Sequence, residues 1–295
     1  MSDRRELEWV DAIAPPFQDQ PFVWTMGVRP LALDRWLIID ADLEADRAEK
    51  AELLAQRPQD VVATMPGSEP ASSEVLALVT EDLRARQLDL PERDHDAHPI
   101  EQAARLVQED LVVMERDLQG GNEWRMTAAC VCFPTRWHLA SKLGRSMAGI
   151  HVPVPRYDTD LSARTDTFFD RLRVERPVWR TNWTIDGDHG NRLEPGEQAP
   201  PAVPITADNV ADALCLRVEY QTLRRLPETD AILFTIRILR RPLGWVLTHD
   251  AGPGLATALT SMPDDVAGYK AGSVRHRDAI LEWLDRAGVR PDRDS

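Results

Sequence analysis

Cysteine is scarce in this chain of 295 residues, which contains three cysteines, at positions 130, 132 and 215. Three are too few for a disulfide framework, and the Cys130-x-Cys132 spacing fits neither a zinc ribbon, nor a redox pair, nor an iron–sulfur site. Because residues two apart in a strand point to the same face, we expect both thiols to lie in the core.

Long apolar runs and an excess of basic charge are also missing. The amino-terminal sequence MSDRRELEWVDAIAPP lacks the basic-then-apolar order of a signal peptide. The chain has 35 Lys and Arg against 49 Asp and Glu, a formal charge of −14. Since such a surface repels phosphate and anionic lipid, we expect a soluble, cytoplasmic protein that binds neither nucleic acid nor membrane.

The common nucleotide and catalytic motifs are absent as well. The sequence contains no G-x-G-x-x-G, G-x-x-x-x-G-K-[ST], H-E-x-x-H or G-x-S-x-G. If the protein is a redox enzyme, the pyridine nucleotide and the flavin must therefore bind elsewhere.

The pattern of apolar residues predicts helices before and after a central group of strands. Helix formers favour a helix over Leu43–Gln56, and serine caps favour another over 72–86. Apolar β-formers predict a hairpin from QEDLVVMERD and EWRMTAACVCFP, and strands at RPVWRTNWTI, ALCLRVEYQTLRRLP and AILFTIRILRRPL. A last helix is expected in SVRHRDAILEWLDRAG.

These elements predict an α+β fold with an antiparallel sheet of about five strands and flanking helices. We divide the chain into an amino-terminal extension whose helices pack on the core, residues 1–100, a core, residues 101–250, and carboxy-terminal helices, residues 251–295. A chain of this length can bury a sizeable core, so we expect the three parts to form one compact unit.

His151, in the segment AGIHVPVP, is the best single candidate for a metal ligand. Pro153 and Pro155 disfavour a helix, so we expect an extended peptide that orients the imidazole in advance. A buried, hydrogen-bonded histidine without a metal is the alternative. His138 competes as a ligand from a predicted helix in TRWHLASKLG, although its neighbours Arg136 and Lys142 suggest an exposed face.

The strand LRVEYQTLRRLP alternates polar and apolar side chains. Arg217, Glu219 and Gln221 share one face, and Val218, Tyr220 and Thr222 share the other. The polar face is either exposed to solvent or lines a pocket, where charged groups polarise a ligand and hold a cationic substrate. Of the tandem Arg224 and Arg225, only one can point inward.

Tryptophan is frequent, with nine residues against three tyrosines. Four of them, Trp124, Trp137, Trp179 and Trp183, fall in the central part of the chain. Their flat apolar rings either wall a planar macrocycle or belong to an ordinary core.

Several of these segments, taken together, resemble one known family. They are TMGVRPL, AARLVQEDLVVME, VCFPTRWHLASKLGR, IHVPVPRYD, FFDRLRVERPVWRTNW and LRVEYQTLRRLPETDAILFTIR, in the same order between Pro21 and Lys270. The chain is similar to the α subunit of haem-dependent oxidative N-demethylase. The resemblance implies a PAS-like domain that binds haem b and, with O2, oxidises a small secondary amine such as dimethylamine.

The resemblance also implies partner subunits. In that family, electrons come from NADPH through FMN and a 2Fe-2S cluster on a reductase, and tetrahydrofolate on a folate-binding subunit accepts the formaldehyde. Two other functions stay open: a haem-PAS sensor of gas or another small ligand, and a structural or adaptor subunit without haem.

The match assigns the role of His151, and the residue patterns described above supply the other roles. His151 corresponds to the histidine of the family's IHxPVP motif and is the expected axial ligand of the iron. We expect Trp137 and Trp179 to contact the haem, Glu219 to hold an alkylammonium, and Arg224 rather than Arg225 to polarise bound oxygen. Tyr220 stands where the family has a basic residue, which affects the substrate only if that position faces the pocket.

Overall fold

The computed structural model describes residues 17, 25–92, 94–116, 123–152, 154, 155, 157, 162–196, 203–264, 266 and 275–289. Its strands are β1 Arg29–Pro30, β2 Val62–Thr64, β3 Asp110–Arg116, β4 Trp124–Cys130, β5 Val178–Asp186, β6 Cys215–Arg225 and β7 Ile232–Pro242. Its α-helices are α1 Leu43–Gln56, α2 Pro58–Val61, α3 Glu69–Ala85, α4 Pro99–Ala104, α5 Met147–Ile150, α6 Ser162–Arg171, α7 Val210–Ala213, α8 Trp245–Thr248, α9 Gly252–Ser261 and α10 Arg277–Arg286. Two 3-10 turns cover Leu33–Arg35 and Leu139–Ser141.

The strands form one antiparallel sheet in the order β1-β5-β6-β7-β3-β4-β2. The predicted α+β class and the β3–β4 hairpin are confirmed. The predicted count of about five strands was too low, because the short β1 and β2 add to the five long strands and make seven. Edge strands of two and three residues leave no period-2 pattern in a sequence.

One face of the sheet is covered by helices. On α3, Val75, Val79 and Leu83 recur at the helical period and are fully buried. They join the main apolar core with residues of α1, α4, α9 and α10 and with sheet residues such as Trp183 and Tyr220. We call this side the helix-packed face.

The opposite side, which we call the site face, carries a second apolar cluster. Its sheet members include Val112, Met114, Met126 and Leu223. They are covered by Phe169 and Leu172 at the end of α6 and by Leu139 of the second 3-10 turn. This cover contains less regular structure than the helix-packed face, and it leaves several rim residues only partly buried.

A buried ion-pair network ties α1 to the sheet. Arg237 of β7, 3% exposed, pairs with Asp40 at 2.8 Å and with Asp46 of α1 at 3.1 Å. Gln108 donates to both carboxylates. A single guanidinium thus pairs with two carboxylates, and Gln108 supplies each carboxylate with a further hydrogen bond.

The structure also tests the predictions made for the cysteines and for two of the helices. Cys130 and Cys132 are buried and free, as predicted. Helix α1 has the predicted bounds, whereas α3 begins at Glu69 rather than at 72, because Pro70 fits in its first turn. Among the described residues, no helix is long and apolar enough to cross a membrane.

Candidate functional site

Polar side chains of β5 and β6 share the site face with the second apolar cluster. Leu223 belongs to that cluster, so alternation along β6 places Gln221 and Glu219 on the same face. The β5–β6 register sets Arg180 beside Gln221 and Asn182 beside Glu219. The sheet therefore presents a patch that contains both signs of charge.

Glu219 is held by three donors from different parts of the chain. Thr135 Oγ1 donates to its Oε1 at 2.5 Å. Gln221 Nε2 donates to its Oε2 at 2.8 Å, and Asn182 Nδ2 donates to the same atom at 3.3 Å. These contacts match the acceptor chemistry of a carboxylate and fix its orientation.

Arg217 holds the loop that supplies Thr135. Its Nε donates to Thr135 Oγ1 at 3.1 Å, and its Nη2 donates to the Phe133 carbonyl at 2.9 Å. A third bond reaches the Gly190 carbonyl at 3.1 Å. Because Arg217 is 2% exposed, these charge-assisted bonds replace the water it lost on folding.

His151 follows α5 and presents one ring nitrogen for coordination. Nδ1 lies 2.8 Å from the Met147 carbonyl oxygen, which can only accept, so Nδ1 carries the proton and Nε2 carries the lone pair. The ring stacks on Tyr157 with centroids 4.3 Å apart and planes 10° from parallel. A second interaction that fixes the tautomer and the ring orientation is typical of histidine metal ligands.

The electrostatic environment keeps this imidazole neutral. Burial lowers the pKa of His151 to about 4, against the opposing effect of the Met147 hydrogen bond. The positive charges of Lys142 and Arg180 lower this pKa further. The Nε2 lone pair therefore stays free of a proton at physiological pH.

The backbone at His151 is not extended, which corrects the expectation from the prolines. His151 has φ −99° and ψ 10° and ends the α5 turn, and the Val154 amide donates to its carbonyl at 2.8 Å. A proline fixes its own φ and restricts the residue before it, so Pro155 acts on Val154 and leaves His151 free to end a helix. Pro153 lies outside the described residues.

Arg180 is a half-buried cation, and one of its donors is buried without a partner in the described ranges. Its Nε is shut off from solvent and has no hydrogen-bond partner among the described residues. Burial lowers the pKa of the Arg180 guanidinium, and the negative charge of Glu219 opposes that shift. Arg180 therefore acts electrostatically on both His151 and Glu219 without an ion pair to Glu219.

Apolar side chains border this patch. Trp137, Met147, Ile150 and Val178 are partly buried and pack against the second apolar cluster. Val178 precedes Arg180 by two residues on the same face of β5, and Ile150 directly precedes His151. The structure thus brings Trp137, His151 and Glu219 to one side of the sheet.

Arg224 and Trp179 lie on the helix-packed face. The Arg224 guanidinium lies 4.0 Å from the centroid of the Trp36 ring. Burial lowers the pKa of this guanidinium. Trp179 contacts Tyr220, with ring centroids 5.4 Å apart, and packs against the main core. Because neighbours in a strand alternate, neither residue shares a face with Glu219, which corrects the expectation of one common pocket.

The remaining candidates have other surroundings. Arg225 points to the site face but is bound by Asp230 at 2.5 Å and by the Leu172 carbonyl at 3.2 Å. His138 is exposed and precedes a 3-10 turn instead of lying on the predicted helix. The Tyr220 hydroxyl donates to a carbonyl on the helix-packed face, at Arg35, so the departure from the family there does not reach the site face.

Sequence reasoning missed three residues of the site, Arg180, Asn182 and Thr135. Alternation in RPVWRTNWTI puts the first two on one face, and their antiparallel pairing with LRVEYQTLRRLP would have aligned them with Glu219. Thr135 lies in a loop and gave no periodic signal.

A comparison with protein families identifies the family of this chain. A family model described as haem-dependent oxidative N-demethylase, alpha subunit-like, matches residues 27–88 and 83–281. The matched ranges include the whole sheet and both His151 and Glu219. The chain therefore belongs to the family of haem-dependent oxidative N-demethylase alpha subunit-like proteins.

Proposed function

We propose that this protein is the catalytic subunit of a haem-dependent oxidative N-demethylase that acts, with O2, on a small secondary amine resembling dimethylamine. The observation that carries the proposal is His151: a neutral imidazole with Nδ1 bound to a carbonyl and Nε2 free, in a chain of this family. A PAS-like core over 101–250, extensions over 1–100 and 251–295, and a cytoplasmic location belong to the same proposal.

The residues of the site face fit a haem. Nε2 of His151 would hold the iron, and the apolar border formed by Trp137, Ile150 and Val178 would contact the macrocycle. Haem b, when bound, supplies the oxygen chemistry that side chains cannot perform. Trp179 is not part of this proposal, because it packs on the other face.

Glu219 would bind the alkylammonium form of the amine. Thr135, Asn182 and Gln221 hold the carboxylate in one orientation, so little side-chain freedom is lost when a cation binds. A charge-assisted hydrogen bond from the ammonium would place the methyl group for oxidation. The half-buried position of Glu219 leaves it accessible to a small molecule.

Partner subunits would supply the electrons and remove the formaldehyde. We assign NADPH, FMN and a 2Fe-2S cluster to a reductase and tetrahydrofolate to a folate-binding subunit. Two findings support this assignment: the alpha-subunit description of the family, and the lack of nucleotide-binding motifs in this sequence.

The absorption spectrum of the purified protein is the decisive test. We expect a Soret band in the wild type and in His138→Ala, the matched control, and little or no haem in His151→Ala. Unchanged ferric and ferrous spectra in His151→Ala would refute the assignment of the ligand. Haem without amine oxidation in the presence of reductase subunits would favour a sensor, and absence of haem from all three proteins would favour an adaptor subunit.

A further inference from the structure

We propose that Arg180 binds a propionate carboxylate of the haem and so forms the anion-binding part of the cofactor site. This inference rests on the proposed function and assigns a role to a residue on β5 that sequence reasoning missed. The partner is chosen by its chemistry: a carboxylate at the edge of a flat, apolar macrocycle.

The first argument is the unsatisfied donor. A buried charged donor without a partner is costly, so we expect an acceptor to bind the Nε of Arg180. The nearest carboxylate along the site face, on Glu219, is already bound by Thr135, Asn182 and Gln221. The Nε of Arg180 remains buried without a partner in the described part of the chain.

The second argument is position. Val178 and Ile150 belong to the border of the same apolar cluster. Arg180 follows Val178 on the same face of β5, and His151 follows Ile150 in the chain, so the guanidinium and the imidazole flank one apolar surface. A macrocycle held through its iron by His151 would lie against that surface, and Arg180 would supply the donor for a carboxylate at its edge.

The third argument concerns charge. Two cations, Arg217 and Arg180, lie near Glu219 and weaken its attraction for an alkylammonium. Arg217 already donates to two carbonyl groups, whereas Arg180 keeps, within the described residues, an unsatisfied donor and an uncompensated charge. A haem carboxylate on Arg180 cancels that charge and leaves Glu219 for the amine. Guanidinium is well suited to this task, since it binds carboxylates through two parallel hydrogen bonds.

Lys142 provides a matched control cation. Its charge also lowers the pKa of His151, but its ammonium donates to the Ile150 carbonyl and so already has an acceptor. Replacing it by methionine removes a positive charge near His151 without removing an unsatisfied donor.

The test compares haem with haem dimethyl ester, in which both carboxylates are blocked. The full-length protein is freed of haem and titrated with each compound, and binding is followed at the Soret band. We expect esterification to weaken binding to the wild type and to Lys142→Met by roughly tenfold to a hundredfold, the loss of one charge-assisted contact. Arg180→Met should bind haem and haem dimethyl ester with similar affinity, close to the affinity of the wild type for the ester. The affinity of Arg180→Lys for haem should lie between those of the wild type and Arg180→Met.

Two results would overturn the inference. One is an unchanged affinity of Arg180→Met for haem; the other is an equal loss for haem and ester, which would show a structural role only. If Arg180→Met does not fold, Arg180→Gln is compared in the same way. If the proposed function itself is wrong, the titration gives a different result. The wild type and His151→Ala would then show the same Soret response to both compounds.

Discussion

Replacing Thr135 by valine removes the hydroxyl that connects two charged side chains. Thr135 Oγ1 donates to Glu219 at 2.5 Å and accepts from Arg217 at 3.1 Å. Valine has nearly the same shape, so the main change is the loss of these two bonds. Arg217 keeps its two carbonyl acceptors, and Glu219 keeps two amide donors.

The expected cost follows from these contacts. A hydrogen bond to a charged group contributes about 1.5–3 kcal/mol. Both charged groups retain other partners, so we expect Thr135→Val to lower the free energy of unfolding by about 2–4 kcal/mol rather than by the sum of two full bonds. Because the orientation of Glu219 becomes less restricted, amine affinity should fall by about tenfold, which is 1.4 kcal/mol.

Two measurements test this reasoning. Urea unfolding gives the stability, and amine-induced spectral shifts give the affinity. Thr135→Ser keeps the hydroxyl and should stay within about 1 kcal/mol of the wild type. If Thr135→Val matches Thr135→Ser in both measurements, the hydroxyl does not connect Arg217 to Glu219, and the positioning of the carboxylate must come from Asn182 and Gln221 alone.

Four further results are expected. Arg237→Met leaves the buried Asp46 and the partly buried Asp40 without their cation and should cost about 3–5 kcal/mol in urea unfolding, with an unchanged haem spectrum. Arg224→Leu removes the contact with Trp36 and should cost about 0.5–2 kcal/mol while amine turnover is unchanged; slower turnover would return Arg224 to the site. In the haem-free protein, His151 has a pKa of about 4, below its unfolded value of 6.5, so stability should fall by up to about 3 kcal/mol as the pH drops from 6.5 to 4, a dependence that His151→Phe should lack. Finally, NADPH and amine should not be consumed until reductase subunits are added, and steady oxidation by this chain alone would contradict the proposed division of labour.

Local sequence patterns were sufficient to predict most of the longer helices and strands. Helix α1 follows from helix formers and acidic residues in its first turn, and the long strands follow from their period-2 patterns. The predicted helix around His138 failed for a non-local reason. Arg136 has φ +60° and is held by Asp186 at 3.0 Å, so the chain there cannot enter a helix.

The site was predictable only in part. The expectation that Arg224 lies beside Glu219 is wrong because it conflicts with the alternation of side chains along β6. Glu219 and Arg225 are six residues apart and share a face, whereas Glu219 and Arg224 are five apart and cannot. The same alternation that groups Glu219 with Arg217 places Arg224 on the other face. By contrast, the unsatisfied Nε of Arg180 depends on the tertiary packing around β5, which no local sequence pattern contains.

The two faces of the sheet differ in how deeply their side chains are buried, and this difference affects how such proteins diverge. Most fully buried apolar side chains lie on the helix-packed face, whereas Asn182, Thr135 and Glu219 are half-buried on the site face. Apart from Thr135, which also accepts a hydrogen bond from the buried Arg217, half-buried positions tolerate substitution at a lower cost in folding free energy than a close-packed core. Under the proposed function, new amine preferences can therefore arise by changing the surroundings of Glu219 while the helical layer keeps the chain above its threshold of stability.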